Sequence, residues 1–204
     1  MEEVYEANLV AYQNQKYEQF KQENIRQPKG AIVFVGDSLI EFYPLKKYLS
    51  ATNPLINRGV CATGVAWLKE HLPQQVLALE PSQVIVLIGT NDIARGESQE
   101  SIYANLVDVL ASLQEHLLGV SIQLLSLLPV NEEERFSQTV HPRRNAMISS
   151  LNRLLSALPN VEFVDVYDSL LDKHGNLRSE YTIDGLHLSP LGYQKLSEKL
   201  QVYL

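Results

Sequence analysis

The stretch Ala31-Ile32-Val33-Phe34-Val35-Gly36-Asp37-Ser38 sets five apolar residues in a row and closes them with a glycine. A strand with one wet face alternates apolar and polar side chains, so an unbroken run, mostly β-branched and aromatic, reads as a strand covered on both faces. Pro28-Lys29-Gly30 breaks whatever precedes it. Short apolar runs recur at 54–57, 84–88, 120–128 and 161–166. Helical spacing fills the intervals: Ile102, Leu106, Val109, Leu110, Leu113 and Leu117 follow Ser98 as N-cap and end at Gly119. Met147, Leu151, Leu154, Leu155 and Leu158 form a second pattern, and Ser189-Pro190 opens a last helix through Leu196, Leu200 and Tyr203. Buried strands alternating with amphipathic helices predict an α/β protein with three α/β/α layers, a five-stranded parallel sheet and the flavodoxin-like doubly wound plan. Residues 2–24 place Tyr5, Leu9, Tyr12 and Phe20 at near-helical spacing in a Gln- and Glu-rich background, which predicts an added amphipathic helix. The expected organisation is one domain over 1–204, with that helix in 1–29 and the core in 30–204.

Composition narrows the function. With 45% hydrophobic and 20% charged residues the chain can bury a core, which excludes disordered and collagen-like classes. Its 17 basic residues face 24 acidic ones, and apart from Arg143-Arg144 they are scattered, so no concentrated basic face suits nucleic acid. A single cysteine, Cys61, excludes an intrachain disulfide and a multi-cysteine metal site, and its apolar setting reads as a small buried residue. The first residues carry acids where a secretory leader has bases, and no run nears the roughly 18 apolar residues of a membrane span. A cytoplasmic protein without integral membrane association is the expectation.

In a doubly wound fold ligands sit beyond the carboxyl ends of the strands. Those ends read Gly36-Asp37-Ser38-Leu39, Asn57-Arg58-Gly59 and Gly89-Thr90-Asn91-Asp92. Ser38, at a strand-to-helix junction, is a candidate nucleophile if a base reaches it. Asp184-Gly185-Leu186-His187 supplies one, because three residues bring the carboxylate and the imidazole together within one turn. Asn91, the Ser38 N–H and a backbone N–H after the second strand are candidate oxyanion donors. Singly, each motif has a plainer reading as turn or cap chemistry; it is their convergence on one crevice that favours catalysis. His71, His116, His141 and His174 lie in separate segments without ligand spacing, so neither a metal nor another cofactor is expected. Glu132-Glu133-Glu134 reads as a solvated loop, Arg143-Arg144 as a surface pair at a helix start, and the long polar loops 129–141 and 172–184 as candidate functional segments.

Together, Gly-Asp-Ser-Leu, Asn-Arg-Gly, Gly-Thr-Asn-Asp and Asp-Gly-Leu-His, in this order over residues 30–204, resemble the GDSL, or SGNH, hydrolases, and most of all the small bacterial members related to the platelet-activating-factor acetylhydrolases. The resemblance implies that Ser38 is nucleophile and oxyanion donor, that Asn91 is a second donor, and that Asp184 and His187 complete a triad. Family members usually carry a glycine about five residues after the Asn of the second block; here that position is Ala62, which remains the expected donor of a backbone N–H, with Gly64 as the alternative two residues on. The implied activity is hydrolysis of small-molecule carboxylic esters through an acyl-enzyme, with short acyl groups and acetyl above all. Acyl transfer by the same triad, or non-catalytic binding on the same fold, are the rivals. The tyrosines of the N-terminal helix offer a surface for a homodimer.

Overall fold

The computed structural model describes residues 2–204, with side chains from residue 6 onward. Five strands form one sheet: β1 (Ile32–Gly36), β2 (Leu55–Gly59), β3 (Gln83–Leu87), β4 (Ser121–Leu125) and β5 (Glu162–Val164). Their order is β2-β1-β3-β4-β5 and every pairing is parallel. The run that set the reading is the centre of the sheet, and every residue of β1 is buried. The helices are α1 (Glu2–Asn24), α2 (Ser38–Glu41), α3 (Leu45–Tyr48), α4 (Val65–Gln75), α5 (Thr90–Ala94), α6 (Gln99–His116), α7 (Ser137–Val140), α8 (Asn145–Leu155) and α9 (Pro190–Leu200).

Right-handed crossovers assign the layers. The step from β1 to β2 runs one way along the sheet and the later steps run the other way, so the helices after β1 fall on the opposite face from those after β2, β3 and β4. The packing agrees: α4, α6 and α8 lie side by side with α1 against α4, while α3 packs on α9. The predicted three-layer α/β/α plan is borne out. So is the cap of α6, where Ser98 Oγ accepts from Ser101 N at 3.1 Å above a buried stripe of Ile102, Leu106, Val109, Leu110 and Leu113. No described helix is long and apolar enough to cross a membrane.

Several expectations shift. The apolar run 161–166 yields only the three-residue β5, because Ser126 Oγ takes the Val166 and Tyr167 N–H groups out of the ladder. In α8 the buried face is Ile148, Leu151, Asn152 and Leu155, whereas Met147 and Leu154 are exposed. Asn152 takes a core position by pairing both of its amide atoms with the Leu127 backbone. The last helix stops at Leu200, and Tyr203 lies in a short 3-10 turn. Tyr5 lies outside the described side chains. Of the other α1 positions, Phe20 is buried and Tyr12 is exposed, and polar contacts anchor the helix as much as apolar ones. Arg58, on β2, donates to Glu23 and Asn24 at 2.8 and 2.9 Å and stacks over the Phe20 ring.

Candidate active site

β1 and β3 are neighbours whose connections leave in opposite directions, and the crevice that this opens at their carboxyl ends collects the site. α2 starts directly at Ser38, because Asp37 takes an extended backbone and its carboxylate caps Leu39 N at 2.9 Å. Gly59 makes room for this short helix: a Cβ there would lie 2.1 Å from Glu41 N. Asn57 secures the far end of the helix, donating to Ile40 O at 2.6 Å and Tyr43 O at 3.2 Å and accepting from Gly59 N at 2.9 Å. Ser38 is thus buried at the start of α2, held from both sides.

The His187 turn is equally constrained. Asp184 Oδ1 accepts from Leu186 N at 3.1 Å and His187 N at 2.8 Å, leaving Oδ2 to bond His187 Nδ1 at 2.7 Å. Thr182 Oγ1 accepts from Gly185 N and donates to His187 O, and Asn131 N reaches Gly185 O at 2.8 Å. The two long loops therefore meet at this turn, with Asn131 also donating to Leu177 O. Burial alone would raise the Asp184 carboxyl, but the bonds from the His187 ring and from two backbone N–H groups outweigh it and hold the group below its ordinary value. An ionised Asp184 only accepts, which places a proton on Nδ1, and in the neutral ring that leaves Nε2 with a lone pair. Nε2 stands 3.0 Å from Ser38 Oγ. Ser38, His187 and Asp184 form one hydrogen-bonded chain.

Asn91, in the first turn of α5, turns its amide toward Ser38's neighbours: Nδ2 donates to Thr63 O at 3.0 Å and lies 3.4 Å from Asp37 Oδ2. Its Oδ1 accepts from Arg143 at 3.0 Å. Arg143 also donates to Thr90 O at 3.0 Å and Thr139 O at 3.1 Å and is 6% exposed, so the surface reading of this residue is wrong. The chain is extended at Arg144, which sends consecutive side chains in opposite directions, and only Arg144 reaches the outside, paired with Glu132. Glu132 in turn accepts from Asn145 N at 2.7 Å, so one member of the acidic triplet anchors the start of α8 rather than simply facing solvent.

Ala62 sits on the loop between Cys61, whose thiol adjoins the Ser38 hydroxyl, and Thr63, whose carbonyl accepts from Asn91. Its φ of 57° is left-handed, a conformation that costs a residue with a Cβ ~1–2 kcal/mol. Gly64 is instead extended and serves as N-cap of α4, where a Cβ would lie 2.5 Å from Asp92 Oδ1. Contacts across the loop stabilise the strained torsion: Glu41 accepts from Cys61 N at 2.6 Å, Gln13 of α1 donates to Cys61 O at 3.1 Å, and Arg95 donates to Ala62 O. Tyr12 and Lys16 of α1 engage Glu41 as well.

Sequence reasoning misread Arg143 as surface, missed Gln13 and Glu41, and underrated Cys61. The cysteine is half-buried rather than part of the core, and burial, followed by the charges of Glu41 and Asp37, pushes its thiol up. Burial also pushes the Asp37 carboxyl up to about 7, against the opposing bond from Leu39 and the nearby His187 and Arg143. Among the described residues no group of three or more His, Cys, Asp or Glu side chains is placed to hold a metal ion.

Residues 34–195 match the GDSL-like Lipase/Acylhydrolase family. The human platelet-activating factor acetylhydrolase IB subunit alpha1 is 26% identical over 184 residues, covering 85% of this chain and 74% of that protein. An N-acylneuraminate cytidylyltransferase from Escherichia coli O18:K1:H7 is 27% identical over 172 residues, 83% of this chain but 39% of that protein. A Streptococcus pneumonia structure described as a platelet activating factor superposes with a TM-score of 0.94 at 35% identity, covering 98% of this chain and 96% of that one. An acetyl xylan esterase, AlAXEase, shares the fold at a TM-score of 0.70 and 19% identity, covering 85% of this chain and 99% of that one. The resemblance carried by the four motifs is borne out: the chain belongs to the GDSL-like lipase/acylhydrolase family, hydrolases that act on esters.

Proposed function

We propose that the chain cleaves small carboxylic esters, acetyl esters foremost, through an acyl-enzyme on Ser38. The observation that carries this reading is the chain of contacts from Ser38 Oγ to His187 Nε2 at 3.0 Å and from His187 Nδ1 to Asp184 Oδ2 at 2.7 Å. His187 takes the Ser38 proton as Oγ attacks the ester carbonyl, and Asp184 stabilises the imidazolium that results. The carbonyl oxygen becomes an oxyanion facing the Ser38 N–H, the Ala62 N–H and Asn91 Nδ2. The carbon–oxygen bond to the alcohol then breaks, and His187 returns the proton to the departing oxygen. Water, deprotonated by the same imidazole, attacks the acyl-enzyme and releases the acid and free Ser38. The test is reaction with a fluorophosphonate together with turnover of p-nitrophenyl acetate. One label per chain, located on Ser38 by peptide mapping and abolishing turnover, is expected; turnover that survives complete labelling, or a folded protein that neither labels nor turns over, rejects the reading.

Asn91 and Arg143 provide a second test. Asn91→Ala is expected to lower kcat on the order of a hundred- to a thousand-fold, the usual effect of losing one oxyanion donor. Arg143→Met leaves Asn91 Oδ1 without its donor, a loss of roughly 1–3 kcal/mol, and lowers kcat with KM little changed. Because Arg143 acts by orienting Asn91, the double variant is expected to be hardly slower than Asn91→Ala alone. Fully additive losses would show that Arg143 does not work through Asn91.

A further inference from the structure

Beside His187, with Asn91 outside its lining, is a groove of about 330 Å³ whose walls include Phe42, Pro44, Lys47, Ile183, His187 and Leu188. Two of its walls are large apolar side chains left open: Phe42 is 52% exposed and Ile183 69% exposed. Both are joined directly to the catalytic chain of contacts. Phe42 stands one turn after Ser38, its N–H donating to Ser38 O at 3.0 Å and its ring lying 5.7 Å from the His187 ring. Ile183 immediately precedes Asp184, and its N–H donates to His187 O at 3.0 Å. Exposed apolar groups gathered at such a point mark a binding surface more often than a chance cluster.

We infer that this groove receives the alcohol half of the ester and that it selects apolar alcohols, aromatic or branched aliphatic, over sugar-like ones. The inference rests on the proposed acyl-enzyme mechanism. His187 must hand its proton to the departing alcohol oxygen, so the alcohol emerges on the His187 side, whereas Asn91, Thr63 and Ala62, which border the oxyanion, line none of the groove. Beyond the Tyr48 phenol and the Lys47 ammonium, the walls offer hydroxyl groups few partners. Tyr193 lends its ring, but its hydroxyl is already committed to Leu39 O at 2.9 Å. Pro44, Pro190, Leu188, Ile183 and Phe42 present carbon, and the one fully charged wall residue, Lys47, folds its ammonium over the Tyr48 ring. A polyhydroxylated alcohol would lose water here with little replacement. The volume suits a single ring or a short branched chain.

The test uses acetates whose alcohols leave with similar ease but differ in polarity: benzyl acetate and 2-methoxyethyl acetate. Wild type is expected to favour benzyl acetate in kcat/KM by about tenfold or more, and Phe42→Ser and Ile183→Ser each to cut that ratio several-fold, as befits loss of apolar contact in a substrate pocket. Both side chains are on the surface, and circular dichroism checks the fold. Benzyl acetate against benzyl butyrate, read on the same variants, separates the two halves of the ester. A changed acyl preference with the alcohol ratio intact would assign the groove to the acyl chain and overturn the inference. So would an unaltered alcohol ratio in an enzyme that Ser38 labelling shows to be active. Sedimentation completes the experiment: a wild-type dimer that Phe42→Ser dissociates without moving the ratio would make the groove an interface between copies. Absence of both labelling and turnover in wild type would instead reject the mechanism beneath it.

Discussion

Ser38→Ala is expected to lower kcat for p-nitrophenyl acetate on the order of a million-fold, the scale of removing a serine nucleophile from a working triad. The variant keeps the proposed oxyanion donors and the imidazole, so what is expected to remain is weak turnover by bound water. Little else should change. The Oγ bonds His187 Nε2 at 3.0 Å, and the position of the residue is set by Asp37 capping α2 and by Asn57 clamping its end, none of which needs the hydroxyl. The measurement is turnover with enzyme in excess, paired with a thermal melt. A variant that melts like wild type and turns over within tenfold of it would remove Ser38 from the mechanism.

Asp184→Asn is expected to cost about ten thousand-fold, although the two side chains have nearly the same shape. The reason lies in how the carboxylate is divided. Two backbone N–H groups, of Leu186 and His187, already claim Oδ1, so an asparagine must keep its oxygen there and turn its NH2 toward His187. The amide then donates to Nδ1, the ring proton moves to Nε2, and the atom facing Ser38 is no longer a base. Because the wild-type carboxyl is held below its ordinary value, Asp184 stays ionised across the neutral range and into moderate acid, and the acid limb of the kcat profile should not report its titration until that lowered value is reached. Proton NMR offers an independent check: a downfield Nδ1–H resonance is expected in wild type and absent in Asp184→Asn. A variant with more than a tenth of wild-type kcat would show that the carboxylate does not govern the tautomer.

What could be read from the chain follows from the range of each signal. β1 was legible because burial on both faces is written into five consecutive residues, and the Asp184–His187 pair because three residues suffice to join them. The start of α6 carried its own cap in Ser98. Arg143 was not legible: an arginine beside an arginine looks like surface, and only the path of the loop over the carboxyl ends of the strands turns one inward onto Asn91. The same limit hid Gln13, whose target Cys61 O lies 48 positions away. The left-handed torsion of Ala62 carries no local mark either, because alanine lacks the freedom at positive φ that would flag a glycine there. That Ser38 meets His187 was foreshadowed by the order of the family motifs and by nothing local.

The span of that last contact bears on how the protein must fold. Ser38 and His187 are separated by 149 positions, with all of the other strands and most of the helices between them. Loop-closure entropy weighs against a contact of this span until the intervening elements have brought its two ends together. Catalytic competence is therefore a readout of the completed tertiary structure: a chain still emerging from the ribosome, or one cut before Asp184, carries Ser38 and still has no base to activate it.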